Sequence, residues 1–358
     1  QWYYQRYITH FPTKGEFVWT SDSGVQHEGN SPLTRGIALY NDITRQIVMA
    51  LKISLLPAEE EAIARPPTEN MEAHADYMRG IELLARATTV SFARARRMFM
   101  RAVELDPCFA RALAGIADCD CRLYMLCGAA VSFELVIDTA CRALQLEPGL
   151  ASAHTSLGTA LLASGRAEEA EQSYQRAIAA EPDFATAHYF YGRACVALGR
   201  SHDAVKLLQR AVDLAPHDVG LLVLLLDMHC SLGLKAEAEA VARETVARCR
   251  RGLEQEPDRA VAAWTGALAA AFLGQRELAV MWAKRALAIE PDDHLTLYNV
   301  SCAYARLGMI EEAIVILEQT MPGVSAHRIA WMKQDRDVDP LRGHPRYQAL
   351  LRRLETEP

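Results

Sequence analysis

The sequence lacks any hydrophobic run long enough to cross a membrane. The longest aliphatic runs, such as Leu221 to Leu226, fall far short of the roughly 18 apolar residues that a bilayer crossing needs. The first residue is Gln, and the residues after it lack the basic, apolar and small-residue succession of a signal peptide. We therefore expect no membrane partner, a cytoplasmic location, and a chain that is a fragment or a processed product.

The sequence also lacks an excess of positive charge. It has 38 Lys plus Arg against 45 Asp plus Glu, which gives a net charge of -7 over 358 residues. This is the wrong sign for a protein that grips a phosphate backbone, so we expect no nucleic-acid partner. Aromatic residues make up only 7%, but the 51% of hydrophobic residues predicts an ordered protein with a large core.

Catalytic and metal-binding signatures are missing. The sequence contains no phosphate-binding glycine loop, no nucleophile elbow and no His-Glu-x-x-His. None of its nine cysteines forms a Cys-x-x-Cys pair, which favours reduced thiols in the cytosol. We predict a protein that is not an enzyme, with no catalytic residue, no cofactor and no metal.

One local cluster keeps a metal or enzymatic alternative open. Cys119, Cys121 and Cys127 lie close in sequence to Asp118 and Asp120, and thiolates with carboxylates could bind a soft metal. Residues two apart on a helix point to different faces, however, so small core-filling cysteines are the simpler interpretation. An enzyme or metal-binding protein that uses the Cys119 region is our second alternative.

The sequence does contain a repeat with a fixed period, marked by prolines. The separations between successive marker prolines are 41, 34, 34, 41, 34 and 31 residues, so 34 is the underlying unit. The markers are Pro107, Pro148, Pro182, Pro216, Pro257, Pro291 and Pro322. A proline after each second helix prevents the helix from continuing, so the chain turns and starts again.

Each unit predicts two amphipathic helices joined by a tight turn. In the unit that ends at Pro182 the pattern positions are Leu157, Gly158 and Leu161, then a break at Gly165-Arg166, then Ala170, Tyr174 and Ala177. The next unit superposes without a gap, with Tyr191, Gly192, Cys195, Ala204, Leu208 and Ala211. Small residues allow the helices to approach closely, and large ones fill the space between successive hairpins.

This pattern resembles the tetratricopeptide repeat. The resemblance implies an all-α solenoid, a right-handed superhelix of about seven helix-turn-helix repeats with one concave groove. The seven units cover about 72–107, 108–148, 149–182, 183–216, 217–257, 258–291 and 292–322. The fifth unit has seven extra residues before Pro257, so its second helix should be longer than its neighbours and project beyond them.

Two flanks surround the repeats of residues 72–322. Residues 1–35 hold a cluster of aromatic residues followed by a Gly-, Ser- and Asn-rich stretch, which predicts a short extended segment and a loop. Residues 36–71 predict a helical N-terminal cap. Residues 323–358 predict a turn followed by a short amphipathic helix that closes the solenoid.

The flank sequences resemble the C-terminal repeat region of bacterial multidomain signalling proteins. The residues that carry this resemblance are Asn41–Val48, Arg65–Asn70, Tyr77–Gly80, Asp339–Arg342 and His344–Tyr347. In that group such regions follow a TolB-like domain and often a class III adenylate cyclase or winged-helix DNA-binding domain. The resemblance implies an interaction arm, and none of the catalytic or DNA-reading parts matches this chain.

The tetratricopeptide resemblance also implies where a ligand would bind, because the first helix of each hairpin faces the concave groove. This geometry selects nine larger residues: Tyr77, Arg122, Tyr189, Arg193, Trp264, Leu268, Phe272, Tyr298 and Arg306. Rigid aromatics and arginines suit an extended peptide. A carboxylate-clamp co-chaperone is not expected, because Thr155, Thr159, Tyr189 and Arg193 stand where that class uses Lys and Asn.

Together these patterns predict a noncatalytic scaffold that binds a protein or an extended peptide in its groove, as the regulatory arm of a bacterial signalling protein. The first alternative is a homo-oligomerisation module. It rests on the density of Trp and Tyr before residue 20 and on the tendency of exposed apolar surface to mark interaction sites.

Overall fold

The architecture comes from a computed structural model that describes residues 67–321 and 323–356. The predictions for residues 1–35 and for most of the helical cap, including the aromatic cluster behind the oligomerisation alternative, lie outside the described residues. The unit considered below is Arg65–Pro358. Within its described residues, every regular element is a helix.

Fourteen helices form seven antiparallel pairs, each followed by the next along the chain. The pairs are α1 (Met71–Ala85) with α2 (Thr89–Leu105), α3 (Ala110–Cys127) with α4 (Phe133–Leu146), α5 (Ala151–Ala163) with α6 (Ala167–Ala180), α7 (Ala185–Ala197) with α8 (Ser201–Leu214), α9 (Leu221–Ser231) with α10 (Lys235–Gln255), α11 (Ala260–Phe272) with α12 (Arg276–Ile289), and α13 (His294–Arg306) with α14 (Ile310–Thr320). The predicted all-α tetratricopeptide solenoid is confirmed. None of the described helices is long and apolar enough to cross a bilayer.

The helices of a pair approach closely because small residues face large ones. A Cβ added to Gly192 of α7 would lie 2.9 Å from Leu208 Cγ of α8. At Gly158 of α5, the added Cβ would lie 3.1 Å from the Tyr174 ring of α6. The glycines therefore accommodate the bulky residues of the second helices, as the alternation of small and large positions predicts.

In six of the seven pairs the turn contains a glycine with left-handed backbone geometry, whereas in the first pair Ala87, with φ of 53°, takes this place. Gly199 has φ of 73°, and the Arg200 amide beyond it donates to the Cys195 carbonyl at 2.8 Å. Gly165 repeats the arrangement with φ of 80°. A residue with a Cβ is strained at such angles, which explains why the break between the two helices of a unit carries glycine.

Helix α10 is longer than the other second helices. It runs for 21 residues, whereas α8 has 14. The seven extra residues of the fifth unit therefore extend a helix, as predicted. Cys249 and Leu253 of this extension are buried, so the added length contributes to the core.

The first and last hairpins meet. The Thr89 amide, at the start of α2, donates to Asp293 Oδ1 at 2.6 Å across 204 residues of sequence. The other Asp293 oxygen accepts from the Thr296 amide at 2.9 Å and caps α13. One carboxylate therefore joins the two ends of the repeat array.

Three further elements follow the repeats: α15 (Ala326–Gln334), a 3-10 helix (Arg336–Leu341) and α16 (Pro345–Thr356). Ser325 accepts a hydrogen bond from the Arg328 amide and begins α15. Helix α16 lies against α14, where Arg346 pairs with Glu311 at 2.8 Å and with Glu318 at 2.6 Å. Residues Ser325–Leu341, here named the arm, lie instead against earlier repeats and contact Gly128 and Cys230.

Candidate peptide-binding surface

The arm lies on first helices that are distant from one another in sequence. Its Ser325 amide donates to the Gly128 carbonyl just after α3 at 2.6 Å. Farther along, Arg336 donates to the Cys230 carbonyl of α9 at 2.8 Å. We name the surface that it contacts the arm-binding surface; its residues are Tyr124, Arg193, Cys230, Tyr298 and Arg306, from α3, α7, α9 and α13.

At one end of this surface, Arg193 meets an aromatic residue of the arm. Its guanidinium carbon lies 4.6 Å from the centroid of the Trp331 ring, which is within the range of a cation-π interaction. Its terminal nitrogens make only long hydrogen bonds, to the Met125 carbonyl at 3.3 Å and the Tyr189 hydroxyl at 3.4 Å. Among the described residues, Nε of Arg193 has no hydrogen-bond partner.

Two more arm residues continue the contact between the ends. The His327 ring lies 4.6 Å from the Tyr124 ring, and the Arg328 guanidinium lies 3.9 Å from the centroid of Tyr298. Burial, together with the nearby Arg193 and Arg328, lowers the pKa of His327 to about 4. The imidazole is therefore neutral at neutral pH, and the middle of the arm carries cationic but no anionic contacts to this surface.

At the other end of the arm-binding surface, the contacts are made by two carboxylates of the arm, Asp335 and Asp337. The Tyr298 hydroxyl donates to Asp335 Oδ2 at 2.7 Å. Arg306 pairs with Asp337 and lies 5.5 Å from the Phe272 ring centroid. Both members of the Arg306 pair are mostly buried, so the contact is stronger than an exposed ion pair would be.

A further carboxyl group, that of Asp227 on α9, lies near Asp335 and Asp337 at this end of the arm-binding surface. Burial, then repulsion by Asp337 and Asp335, raises the pKa of Asp227 to about 7. The Asp227 Oδ1 atom has no hydrogen-bond partner among the described residues. Asp227, Leu268, Arg306 and Asp337 line a space of about 10 Å³, which is close to that of a single water molecule.

The raised pKa of Asp227 predicts that stability falls as pH rises. An acid whose pKa is raised by folding stabilises the fold below its unfolded value near 3.8 and loses that contribution as pH passes about 7. Asp227 faces Asp337, Asp335, Arg306 and Arg336. Because this contribution is lost progressively between pH 3.8 and about pH 7, we expect the melting temperature of the wild-type chain to fall relative to that of Asp227→Asn over this range, measured by circular dichroism. Equal slopes for both proteins would contradict the assignment.

The structure brings some predicted site residues together and separates others. Arg193, Tyr298 and Arg306 all contact the arm, and Tyr189 supports Arg193. Arg122 instead pairs with Asp118 at 3.0 Å on its own helix and lies 5.5 Å from the Phe190 ring centroid.

The remaining predicted residues lie mainly in the core. Trp264 and Leu268 are buried within α11, exposing 5% and 3% of their surface. Tyr77 packs between Phe99 and Phe109, with ring centroids 5.6 Å and 5.0 Å away. It therefore contributes to the core of the first hairpins.

The expectation of an open groove differs from the structure, because the arm covers this side of the first helices. The sequence pattern indicated a turn and a helix after the repeats. It missed α15 and the arm residues that make the contacts, Trp331, Asp335 and Asp337. Ser325, a favourable residue for starting a helix, is the one signal for α15. No periodicity indicates that the arm folds back across the repeats.

The Cys119 cluster does not converge on a metal site. Cys121 donates to the Ser156 carbonyl at 3.4 Å, while Asp118 pairs with Arg122 and Asp120 with Arg96. Burial raises the pKa of the Cys119 thiol well above its ordinary value. Over residues 67–321 and 323–356, one set of three ligand atoms lies within 4.8 Å of one another, formed by Cys302, Asp335 and Asp337.

Comparisons with known proteins agree with this architecture. A family model described as tetratricopeptide repeat matches residues 155–219 and 196–252. The solved human IFIT1 dimer with PPP-AAAA is similar in fold, with 18% identity, 89% of this chain and 75% of that chain covered, and a TM-score of 0.54. The solved human IFIT1 dimer with m7Gppp-AAAA is 17% identical, with 90% of this chain and 76% of that chain covered and a TM-score of 0.54. A search of curated proteins found no match.

Proposed function

Because the described chain is a tetratricopeptide-repeat solenoid, we propose that it is a noncatalytic scaffold that binds a segment of a partner protein on the arm-binding surface. The seven hairpins hold side chains and backbone groups from α3, α7, α9 and α13 in contact with the same arm. Such a rigid array presents contact groups to an extended polypeptide at low entropic cost.

One observation carries this proposal: the surface already holds a polypeptide. The arm binds there through a stacked Trp331, a hydrogen-bonded Asp335 and an ion-paired Asp337. Aromatic and arginine contacts of this kind dominate protein interfaces. A surface that accommodates this segment has the chemistry to accommodate a similar one from a partner.

The absence of catalysis belongs to the same proposal. Burial raises the pKa of Cys121, Cys127 and Cys249, so these thiols stay protonated and are poor nucleophiles at neutral pH. All nine cysteines are free. Free thiols are typical of a reducing compartment, and we propose a cytoplasmic location on this ground.

A peptide-display selection tests the scaffold function. The bait is the full chain with Trp331→Ala and Asp337→Asn, which removes two arm contacts. We expect enriched peptides that bind this variant and lose at least tenfold in affinity when Arg306→Gln is added, because Arg306 then offers no guanidinium to the peptide. Fluorescence anisotropy of labelled peptides measures the affinity.

The matched control is Met281→Ala on α12, whose side chain is exposed at 56% and lies away from the arm contacts. It should leave the affinity unchanged. Peptides that bind equally well with and without Arg306→Gln, or a selection that enriches no sequence, would contradict a binding function of this surface.

We propose further that the partner is a protein and not a nucleic acid. The chain carries a net charge of -7, and Arg122 and Arg306 of the first helices are already paired with Asp118 and Asp337. Neutralised arginines give little attraction for phosphate. The PPP-AAAA named with human IFIT1 belongs to that protein, and a shared fold does not imply the same ligand.

A labelled 5′-triphosphate oligoadenylate tests this exclusion. We expect no anisotropy change up to micromolar concentrations of the full chain in about 50 mM salt, where phosphate contacts are strongest. Binding that weakens steeply as salt is raised would overturn it. A polyanion-binding protein of similar size serves as the positive control.

The signalling role rests on the flank motifs. Arg65–Asn70 and Asp339–Arg342 resemble those of bacterial signalling proteins, so we propose that the scaffold serves as the interaction arm of such a system. We expect it to copurify from bacterial cells with a cyclase or winged-helix domain. Recovery of the chain without either domain would contradict this role.

A further inference from the structure

Arg193 is a buried guanidinium without a carboxylate. The residue exposes only 6% of its surface, and in the described part of the chain neither an ion pair nor a hydrogen bond uses its Nε atom. Burying a charge is unfavourable unless it is paired and hydrogen-bonded. Its partners are a carbonyl and a hydroxyl at long distances and the face of Trp331.

The arm adds no negative charge at this end. Arg193 lies over the Trp331 ring, and the charges of Arg193 and Arg328 both lower the pKa of the nearby His327. The His327 Nε2 atom also has no partner among the described residues. At the opposite end, by contrast, Asp337 pairs fully with Arg306. The arm therefore satisfies one guanidinium of the surface and leaves the other incomplete.

We propose that the arm-binding surface takes an acidic segment of a partner protein in place of the arm. One carboxylate of that segment pairs with Arg193 and a second, six residues later, pairs with Arg306. The spacing is that of Trp331 and Asp337, which reach the same two arginines along the path of the arm. Arg favours such carboxylate pairs because its planar fork donates two hydrogen bonds at once.

This inference rests on the proposed function and adds the chemistry of the partner. An attached arm competes at an effective concentration that is typically in the millimolar range. A partner therefore displaces it only by a contact that the arm lacks. The carboxylate opposite Arg193 is that contact, so the surface favours acidic segments over segments that have the same contacts as the arm.

Two synthetic peptides test the proposal. Both have the sequence of residues 323–342, which includes the arm, one with Trp331→Glu and the other with Trp331→Gln. They therefore differ only in charge at the position opposite Arg193. The receptor is the full chain with Trp331→Ala and Asp337→Asn. We expect the Glu peptide to bind at least tenfold more tightly by anisotropy, and Arg193→Gln in the receptor to abolish the difference.

Equal affinities of the two peptides, or a difference that persists in Arg193→Gln, would overturn the proposal. So would a lack of binding by either peptide while hydrogen exchange shows the arm of the receptor released. These outcomes leave the display selection unaffected, because that selection accepts peptides of any composition and reads out Arg306. The scaffold function can therefore survive the failure of the acidic partner.

A second measurement does not depend on releasing the arm. In the full chain, Trp331→Glu should slow hydrogen exchange of α15 relative to Trp331→Gln, because the new carboxylate meets Arg193. Adding Arg193→Gln to both should make the two exchange rates equal. Faster exchange with Glu than with Gln would show that this site rejects a carboxylate and would overturn the proposal.

Discussion

Replacing Phe99 by alanine is expected to lower the free energy of unfolding of the N-terminal hairpins by about 3–5 kcal/mol, the usual cost of truncating a buried phenylalanine. Phe99 is fully buried. A Cβ on Gly80 of α1 or Gly115 of α3 would lie only 2.4 Å or 2.8 Å from its ring. One side chain therefore fills the space between three helices.

The measurement for Phe99→Ala is hydrogen exchange resolved by helix, because neighbouring repeats can open separately. Protection should fall in α1 to α3 and much less in α12. The control is Met100→Ala at the next position, where 38% of the side chain is exposed and a change within about 1 kcal/mol is expected. Similar losses for the two variants would contradict the role of Phe99.

Adding a methyl group at Gly266 should also destabilise the solenoid. A Cβ there would lie 2.4 Å from Trp282 Cε3 of α12 and 3.1 Å from Cys249 Cβ of α10. The bulky indole is buried and cannot move without displacing its neighbours. We expect Gly266→Ala to lower the free energy of unfolding by about 1–3 kcal/mol, the range typical of overpacked cores, measured by urea denaturation.

Gly252→Ala is the matched control, because it makes the same change within a helix where space is available. Its added Cβ would meet only Ala262 Cβ, at 3.9 Å. Alanine is the better helix former, so we expect a gain of up to about 1 kcal/mol. A Gly266→Ala variant as stable as the wild type would contradict overpacking against Trp282.

The repeats could be predicted because their constraints are local. Gly192 and Leu208, or Gly158 and Tyr174, are separated by one tight turn and pack against each other within one unit. The proline that ends each second helix and the glycine at φ near 73° within the turn act on their immediate neighbours. A periodic sequence therefore specifies the stacking without information from distant residues.

The occupation of the candidate site could not be predicted, because it depends on contacts across long separations in sequence. Arg193 meets Trp331, and Arg336 meets Cys230 across 106 residues. These arm residues follow no repeat. The sequence indicated Arg193, Tyr298 and Arg306 by their helical position, whereas their actual neighbours depend on the path of the chain after the last hairpin.

The hydrogen bond between Thr89 and Asp293 changes the mechanical character of the repeat array. An open stack of hairpins behaves like a spring that can stretch or fray from either end, because each unit contacts only its neighbours. The hydrogen bond of 2.6 Å between Thr89 and Asp293 connects the first hairpin to the last, so the repeat array is closed rather than open-ended. Separating the first hairpin from the last requires this hydrogen bond to break. We therefore expect the array to resist stretching up to a threshold force instead of extending gradually.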